Sequence, residues 1–244
     1  MRRVLQLVAL GALLTFTAAA DGIVLDFEGI PNGDPVGNYF NGQVDGNGFG
    51  PGPSVGVTFS LNGAAYVSDD VVGEGNGGTF GGDPIGDEAF TGITDSSDII
   101  MDVPAGFTTG FSFYYSSPFD DITNAISIYS GTDGGGSLLA QLTLSDTGVG
   151  YSATNPNPTC PNSWDTFCPF VPIGVDIPVG TAESVVISGT FGLVAFDDFT
   201  LGSDIPATSE PGALKMLGLG LACLLAVSRR RRKLQQDTGR RFES

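Results

Sequence analysis

Apolar and polar residues alternate in short runs through most of the chain, which is typical of β-strands that bury one face. Val55, Val57, Phe59 and Leu61 alternate with small or polar residues, so we expect all four to face a core. The alternation recurs over residues 107–115, and no segment has a convincing helical period. Further runs of this kind lie at 23–27, 99–103, 125–129, 138–144, 184–189 and 191–201. The pattern predicts roughly eight or nine strands.

Short strands separated by glycine-rich turns predict an all-β fold. The favoured architecture is a jelly-roll-like sandwich of two packed antiparallel sheets, and open barrels and β-solenoids are the alternatives. The glycine-rich segment 73–82 has a composition similar to that of calcium-binding repeats, but its period does not recur. We therefore interpret it as a loop.

The N-terminal segment predicts export. Arg2 and Arg3 precede an apolar stretch at 4–16, and small residues at 18–20 form a cleavage site of the signal-peptidase type. We predict a signal peptide over residues 1–20, followed by a single β-sandwich domain over 21–208.

The C-terminal segment combines a short motif, an apolar run and a basic cluster. The motif is Ser209, Glu210 and Pro211, and the apolar run follows at 213–227. The basic cluster comprises Arg229, Arg230, Arg231, Arg232 and Lys233. An apolar helix followed by dense positive charge stops in a membrane with that charge in the cytoplasm. The run is shorter than the roughly 20 residues of a full span, which predicts a weak, temporary anchor.

This tail resembles the PEP-CTERM sorting signal of Gram-negative bacteria, also called the ice-binding protein C-terminal domain. Glu210 and Pro211 match the second and third motif positions, whereas Ser209 stands where the first proline usually is. The resemblance implies cleavage by an exosortase, a membrane cysteine transpeptidase, and delivery to the cell surface or the extracellular matrix. We assign the sorting signal to residues 209–233 and a cytoplasmic tail to 234–244. An ordinary C-terminal anchor is the alternative.

The charge of the predicted domain excludes several classes of partner. All ten Lys and Arg lie in the two end segments, and the chain has no His. Of its 27 acidic residues, only Glu210, Asp237 and Glu243 lie outside the domain. Because nothing in the domain can neutralise a phosphate, nucleic acid and anionic lipids are poor partners and cations are the natural counterpart.

The same composition excludes most catalytic sites. Without His, Lys or Arg, the domain cannot form a Ser-His-Asp triad, a Cys-His pair or a His-containing zinc site. Two carboxylates could still act as in a glycosidase. Since such pairs arise by chance among so many acids, we expect a non-catalytic domain.

The last predicted strand contains an irregularity at Asp197 and Asp198. Its apolar positions are even up to Phe196 and odd from Phe199, which predicts a β-bulge between them. If the first and last strands are neighbours, Glu28 could meet this acidic pair. Several hard oxygens in one place suit Ca²⁺.

These two strands resemble those of galactose-binding-like jelly rolls, a fold of many carbohydrate-binding modules. In that family, a Phe-Glu in the first strand and an Asp-Asp in the last contribute to a structural calcium site. The resemblance implies Glu28, Asp197 and Asp198 as calcium ligands and an extracellular polysaccharide as partner. The alternative is that Asp197 and Asp198 lie on the solvent side of a strand end.

Cys160 and Cys168 flank a short loop rich in Pro and Asn, and Cys223 lies in the apolar tail. In an oxidising compartment the first two are expected to form a disulfide. This disulfide would fix Trp164 in the loop, where the ring either stacks on a sugar or folds back over the loop. Tyr114 has the opposite parity to its apolar neighbours, faces away from the core and is the second ligand candidate.

The sequence therefore predicts an exported, calcium-stabilised β-sandwich that binds carbohydrate without catalysis. One alternative is a purely structural acidic matrix protein crosslinked by calcium. Another is a carboxylate-dependent glycan hydrolase or lyase. Ice binding would need a flat, regular Thr-rich face, and the threonines are scattered.

Overall fold

The computed structural model describes residues 22–69, 78–84, 86–94, 97–148, 160 and 166–206. All of them belong to the first of two compact units, Met1–Ala207. The predicted signal peptide, Trp164 and the C-terminal segment from Ser209 lie outside the described residues. Within the described part of the chain, no helix is long and apolar enough to cross a membrane.

The described residues form nine strands and no helix. The strands are β1 (Ile23–Leu25), β2 (Thr58–Phe59), β3 (Gly63–Val67), β4 (Glu88–Gly92), β5 (Ile99–Ser116), β6 (Ile122–Tyr129), β7 (Leu138–Leu144), β8 (Val171–Ile187) and β9 (Ala195–Leu201). The all-β prediction is therefore confirmed for this part of the chain.

All strand pairs are antiparallel. The hydrogen-bonded order is β3-β4-β9-β5-β8-β6-β7, with β1 beside β9 and β2 beside β5. Strand β5 is 18 residues long and β8 is 17, and each contributes to two parts of the sheet. Their register shifts between Asp102 and Phe107, where Gly106 has a φ of 73°. Bends of this kind let strands pass from one layer to the other, and the arrangement is consistent with a β-sandwich.

One apolar core joins residues from both parts of the sheet, including Met101 of the first half of β5 and Phe113 of the second. Its centre is a group of phenylalanines. Phe27 stacks on Phe90 with 4.7 Å between ring centroids, and Phe199 packs edge-on against Phe27 and Phe113. These rings fix the position of β9, the strand that carries the predicted acidic pair.

The predicted bulge in β9 is present. Thr200 pairs with Ser112 and Asp197 with Tyr114, so β9 has one residue more than β5 between these two pairs. Asp198 adopts a φ of 53°, which non-glycine residues rarely do. As a result, the apolar residues on both sides of the bulge are buried in the core. β1 pairs with β9, as expected for neighbouring first and last strands.

The expectation for the segment 55–61 is wrong at one position. Val57 and Phe59 are buried, but 61% of the Leu61 surface is exposed. Strand β2 ends at Phe59 and the chain then turns at Leu61 and Asn62, so the alternation no longer specifies one face.

Candidate functional site

The β9 bulge creates a buried acid cluster, which we define as Asp83, Asp197 and Asp198. Asp197 and Asp198 have no exposed surface. The Asp197 carboxyl interacts with the Asp83 carboxyl and the Asp198 backbone N–H, whereas the Asp198 carboxyl has no hydrogen-bond partner. Asp83 reaches Asp197 from the segment 78–84 and interacts with it electrostatically. Buried carboxylates normally accept several hydrogen bonds, so this cluster requires another means of neutralisation.

Burial, followed by the hydrogen bond and charge of Asp83 and the charge of Asp198, raises the pKa of Asp197 to about 12. Burial and the charge of Asp26 raise the pKa of Asp198 to about 7. Since residues 21–208 contain no basic side chain, only a bound proton or a bound cation can remove these charges.

Glu28 lies in a different acidic environment. Its Oε1 accepts a hydrogen bond from the Glu88 backbone N–H at 3.3 Å. Burial, and next the Glu88 carboxylate, raise the pKa of Glu28 to about 7. Glu28 shares one electrostatic neighbour, Asp26, with Asp198. Among the described residues, no group of three or more His, Cys, Asp or Glu side chains is arranged to hold a metal ion, and the predicted three-residue calcium site stays a prediction.

Glu28 and Glu88 also line an open hollow of about 400 Å³ together with Asp87. Its wall contains the carboxylates of two glutamates. The hollow is therefore the location at which the alternative of a carboxylate-dependent hydrolase can be tested.

A cover lies over the face of the sheet opposite the core. We define it as residues 78–84, Cys160 and residues 166–168. Phe80 and Phe167 pack there against Ala89 of β4 and Ala195 of β9, forming a small second apolar cluster. The predicted disulfide between Cys160 and Cys168 is present, with 5.7 Å between the Cα atoms.

Hydrogen bonds hold the two segments of the cover together and to the sheet. The Phe167 N–H donates to the Thr79 carbonyl at 2.9 Å, and the Thr166 N–H donates to the Thr79 hydroxyl at 2.6 Å. The Phe80 N–H donates to the Ser68 hydroxyl at 3.1 Å. The cover therefore has a defined position on the sheet, over the strand that contains Asp197.

A groove formed by two adjoining cavities lies at the β8–β9 turn. The first, which we call cavity A, has a volume of about 330 Å³ and is lined by Thr94, Ser97, Asp98 and Thr190, among others. Thr94 is exposed at the start of the β4–β5 connection, and Ser97 and Asp98 are exposed just before β5. The Asn62 amide donates to the carbonyl oxygens of Ser97 and Asp98 at 3.0 and 2.6 Å. Cavity A thus has a polar wall that is fixed by the turn at residues 61–62.

The second, cavity B, has a volume of about 170 Å³ and aromatic walls. Its lining includes Tyr66 of β3, and Phe80 and Phe167 of the cover. Phe191 and Gly92 line both cavities. Phe191 is 44% exposed, and its ring stands in the turn that joins β8 to β9. We call the two cavities together the Phe191 groove.

No protein-family model matches this chain, and no curated protein is significantly similar to it. Several solved structures are distantly similar to this chain, including the following three. The K2 cleaved adhesin domain of Lys-gingipain is 14% identical with a TM-score of 0.43, covering 73% of this chain and 96% of that domain. CsCBM6-3 from Clostridium stercorarium, in complex with cellobiose, is 17% identical with a TM-score of 0.33, covering 59% of this chain and 84% of that module. A family 6 carbohydrate-binding module is 16% identical with a TM-score of 0.36, covering 75% of this chain and 94% of that module. Similarity at this level does not support any conclusion about function.

Of the two ligand candidates from the sequence, Tyr114 is described by the structure and does not line the Phe191 groove. Tyr114 is half-buried on β5, beside Pro172 of β8 and Asp197 of β9. Burial, and next the charge of Asp198, raise the pKa of its hydroxyl. Trp164 lies outside the described residues, so its role as a ligand contact stays a prediction.

The sequence analysis did not predict the positions of two residues that matter to these sites. Asp83 begins the acidic loop 83–88, which the sequence favours as a turn and only alternatively as a further calcium site, and its contact with Asp197 joins positions far apart in the chain. The sequence assigns Phe191 to the predicted strand run 191–201, but this is wrong for residues 191–194, because β9 begins at Ala195 and Phe191 lies in the turn before it. Its position between Gly189 and Gly192 is a usable signal for a turn.

Proposed function

We propose that this chain is an exported surface or matrix protein whose jelly-roll domain binds a neutral carbohydrate without catalysis. The proposal combines a binding groove, a buried site for a structural cation and a C-terminal sorting signal. Each part rests on different residues and is testable by itself.

The observation that carries the proposal is the exposed ring of Phe191 at the junction of two cavities. A sugar presents an apolar face of C–H groups and a polar rim of hydroxyls. Phe191 offers a flat apolar surface, while Thr94, Ser97 and Asp98 offer hydroxyl and carboxylate groups beside it. A partly apolar pocket with a few convergent polar groups is the usual form of a small-molecule site.

The charge of the domain selects the kind of glycan. Residues 21–208 contain no Lys, Arg or His, so a uronate or a sulfated sugar would meet only like charge. Like-charge contacts that cannot be neutralised are strongly unfavourable in a binding site. The ligand class that fits is therefore a neutral polysaccharide.

We assign a structural calcium ion to the buried acid cluster. Asp197 and Asp198 supply buried carboxyl oxygens with no basic partner, and Ca²⁺ binds such hard oxygens together with backbone carbonyls and water. Asp83 is a further candidate ligand, since its carboxyl interacts with that of Asp197. Glu28 remains a candidate from the sequence resemblance. The ion would neutralise the charges that no basic residue in the domain can neutralise.

We further propose that the C-terminal segment is a PEP-CTERM-type sorting signal. Its apolar run would anchor the exported chain briefly in the inner membrane of a Gram-negative bacterium. An exosortase would then cut near Ser209, Glu210 and Pro211. The order of motif, apolar run and arginine cluster in the sequence supports this assignment.

A glycan array tests the binding function. The oxidised full-length protein is applied in calcium and again in EDTA, with neutral and anionic glycans on the same array. We expect binding to neutral glycans only, weakened in EDTA. Absence of binding in both buffers would overturn the carbohydrate function and favour a structural acidic matrix protein. Release of shortened products would instead support a hydrolase or lyase.

A further inference from the structure

We propose that the Phe191 groove holds two adjacent sugar units, one in each cavity, and that the disulfide-linked cover builds the second of these subsites. This inference rests on the proposed carbohydrate function. It goes further by giving the site a length preference and by giving the disulfide a role in ligand selection.

The first argument is the shape of the groove. Cavities A and B share Phe191 and Gly92 in their linings, so they adjoin each other at the β8–β9 turn. Cavity B, at about 170 Å³, is smaller than the roughly 300 Å³ of ordinary ligand pockets. It therefore suits one sugar unit as an extension of cavity A.

The second argument is the difference between the walls. Cavity A has the hydroxyls of Thr94, Ser97 and Thr190 and the Asp98 carboxylate, which suit the rim of a sugar. Cavity B is lined by Tyr66, which is half-buried, and by Phe80 and Phe167, which are buried except for a few per cent of their surface. This apolar lining suits the apolar face of a sugar. Phe191 stands between the two cavities and can contact both units. Recognition in A thus depends on hydrogen bonds, and recognition in B depends on stacking.

The third argument is the origin of the walls of cavity B. Phe80 and Phe167 belong to the cover, and Phe167 precedes Cys168 of the disulfide directly. The apolar cluster beneath the cover is small, with Phe80, Ala89, Phe167 and Ala195 as its buried members. The hydrogen bonds of Thr166 and Phe167 to Thr79 hold the two segments of the cover together, and the disulfide next to Phe167 adds a covalent constraint on its position. Cys160 and Cys168 are positioning residues in this proposal, not ligand contacts.

The test is a calorimetric titration of the oxidised full-length protein with gluco-, xylo- and manno-oligosaccharides of one to four units. We expect affinity to rise about tenfold from one unit to two in the series that binds, and to change little beyond two. A series that binds with equal affinity at one and two units would overturn the two-subsite inference while leaving the carbohydrate function intact. No binding by any series would overturn both.

Two matched variants test which sugar unit each cavity binds. Ile93 lines only cavity B and Ser97 lines only cavity A. Ile93→Trp is expected to fill cavity B and remove the tenfold gain, with the affinity for one unit unchanged. Ser97→Trp is expected to weaken binding of one and two units alike. An Ile93→Trp protein that keeps the full gain would contradict the inference.

The role of the cover is tested with Cys160→Ser/Cys168→Ser. We expect this variant to bind one unit with the wild-type dissociation constant and to lose most of the gain from the second unit. A general structural effect would instead lower both affinities by the same factor, and that outcome would overturn the role of the cover. The ratio of the two dissociation constants therefore separates positioning from stability.

Discussion

The carboxyl of Asp197, on the last strand, lies against the carboxyl of Asp83, which belongs to the cover. Asp197 is fully buried, and residues 21–208 contain no basic side chain. Ordinary domains neutralise such a group with Arg, Lys or His. In this domain, protonation or cation binding is the only choice, which makes its stability depend on the solution.

The first prediction concerns pH in the absence of calcium. Folding raises the pKa of Asp197 to about 12 and that of Asp198 to about 7, both from 3.8. The folded state therefore holds protons that the unfolded chain has released. These bound protons stabilise the folded state fully below pH 3.8. The stabilisation decreases as the pH rises, up to about pH 7 for Asp198 and over the whole accessible pH range for Asp197. In EDTA, the domain should be less stable at pH 8 than at pH 5 by at least about 1 kcal/mol, or roughly 2–4 °C.

Denaturant unfolding at the two pH values checks this, with two variants that each replace one aspartate by asparagine. Asp197→Asn keeps the shape of the side chain but cannot ionise, so it should reduce the pH dependence. Asp120→Asn removes an exposed charge and should leave the dependence nearly as it is. Higher stability at pH 8 than at pH 5 in EDTA would contradict the prediction.

The second prediction concerns calcium. If Asp197 and Asp198 bind Ca²⁺, the ion stabilises the folded state by about 2.7 kcal/mol at a concentration one hundred times its dissociation constant. The effect should be larger at pH 8 than at pH 5, because protons compete for the same oxygens. Thermal melting with calcium, magnesium and EDTA measures it. Asp198→Asn should abolish the calcium effect and Asp120→Asn should retain it, whereas an equal calcium effect in both would exclude this cluster as the site.

The bulge in β9 illustrates what the sequence could predict. In a regular strand, the even-numbered Phe196 and the odd-numbered Phe199 would point to opposite faces. If both are buried in the same core, the simplest explanation is one extra residue between them. The pairing of Cys160 with Cys168 follows just as directly from their short separation in an oxidising compartment. Local patterns of this kind constrain geometry within a few residues.

Other parts of the fold could not be predicted in this way. Strand β3 contains Ala64 and Ala65, both buried, so its sequence shows no alternation between a wet and a dry face. The Phe191 groove joins a turn after β8, a loop before β5 and the cover, which only the tertiary fold brings together. The contact of Asp83 with Asp197 has the same origin, since separation in sequence hides it.

The third prediction concerns the stability provided by the disulfide. Closing a loop as short as the one between Cys160 and Cys168 contributes about 2.5 kcal/mol in the chain-entropy model. Cys160→Ser/Cys168→Ser should lower the free energy of unfolding by about this amount. Reduction of the wild-type protein should match the double variant, while it should not change the variant itself. Equal stability of the oxidised and reduced wild type would contradict the prediction.

The fourth prediction concerns sorting. If the proposed sorting signal is correct, the variant Glu210→Ala/Pro211→Ala, produced in a Gram-negative bacterium that carries an exosortase, should stay in the inner-membrane fraction at full length. The reason is that the proposed cleavage motif is lost while the apolar run remains. Asp237→Ala/Glu243→Ala changes the tail beyond the arginine cluster and serves as the control. Immunoblotting of cell fractions measures both. Release of the motif variant at the wild-type level would show that the tail is an ordinary anchor or is processed elsewhere.

The fifth prediction concerns the ring at the centre of the groove. Phe191 is 44% exposed and Phe49 is 47% exposed, but Phe49 lines neither cavity. Removing either ring therefore costs similar and small stability, whereas only Phe191→Ala removes a surface on which a sugar can stack. We expect Phe191→Ala to weaken binding of a neutral oligosaccharide by about tenfold or more, since Phe191 contacts both units, and Phe49→Ala to bind as the wild type does. Calorimetry on the three proteins, with melting temperatures measured in parallel, checks this. Equal affinities would place the sugar elsewhere on the domain, and the half-buried Tyr114 and the loop of Trp164 would then be the next surfaces to test.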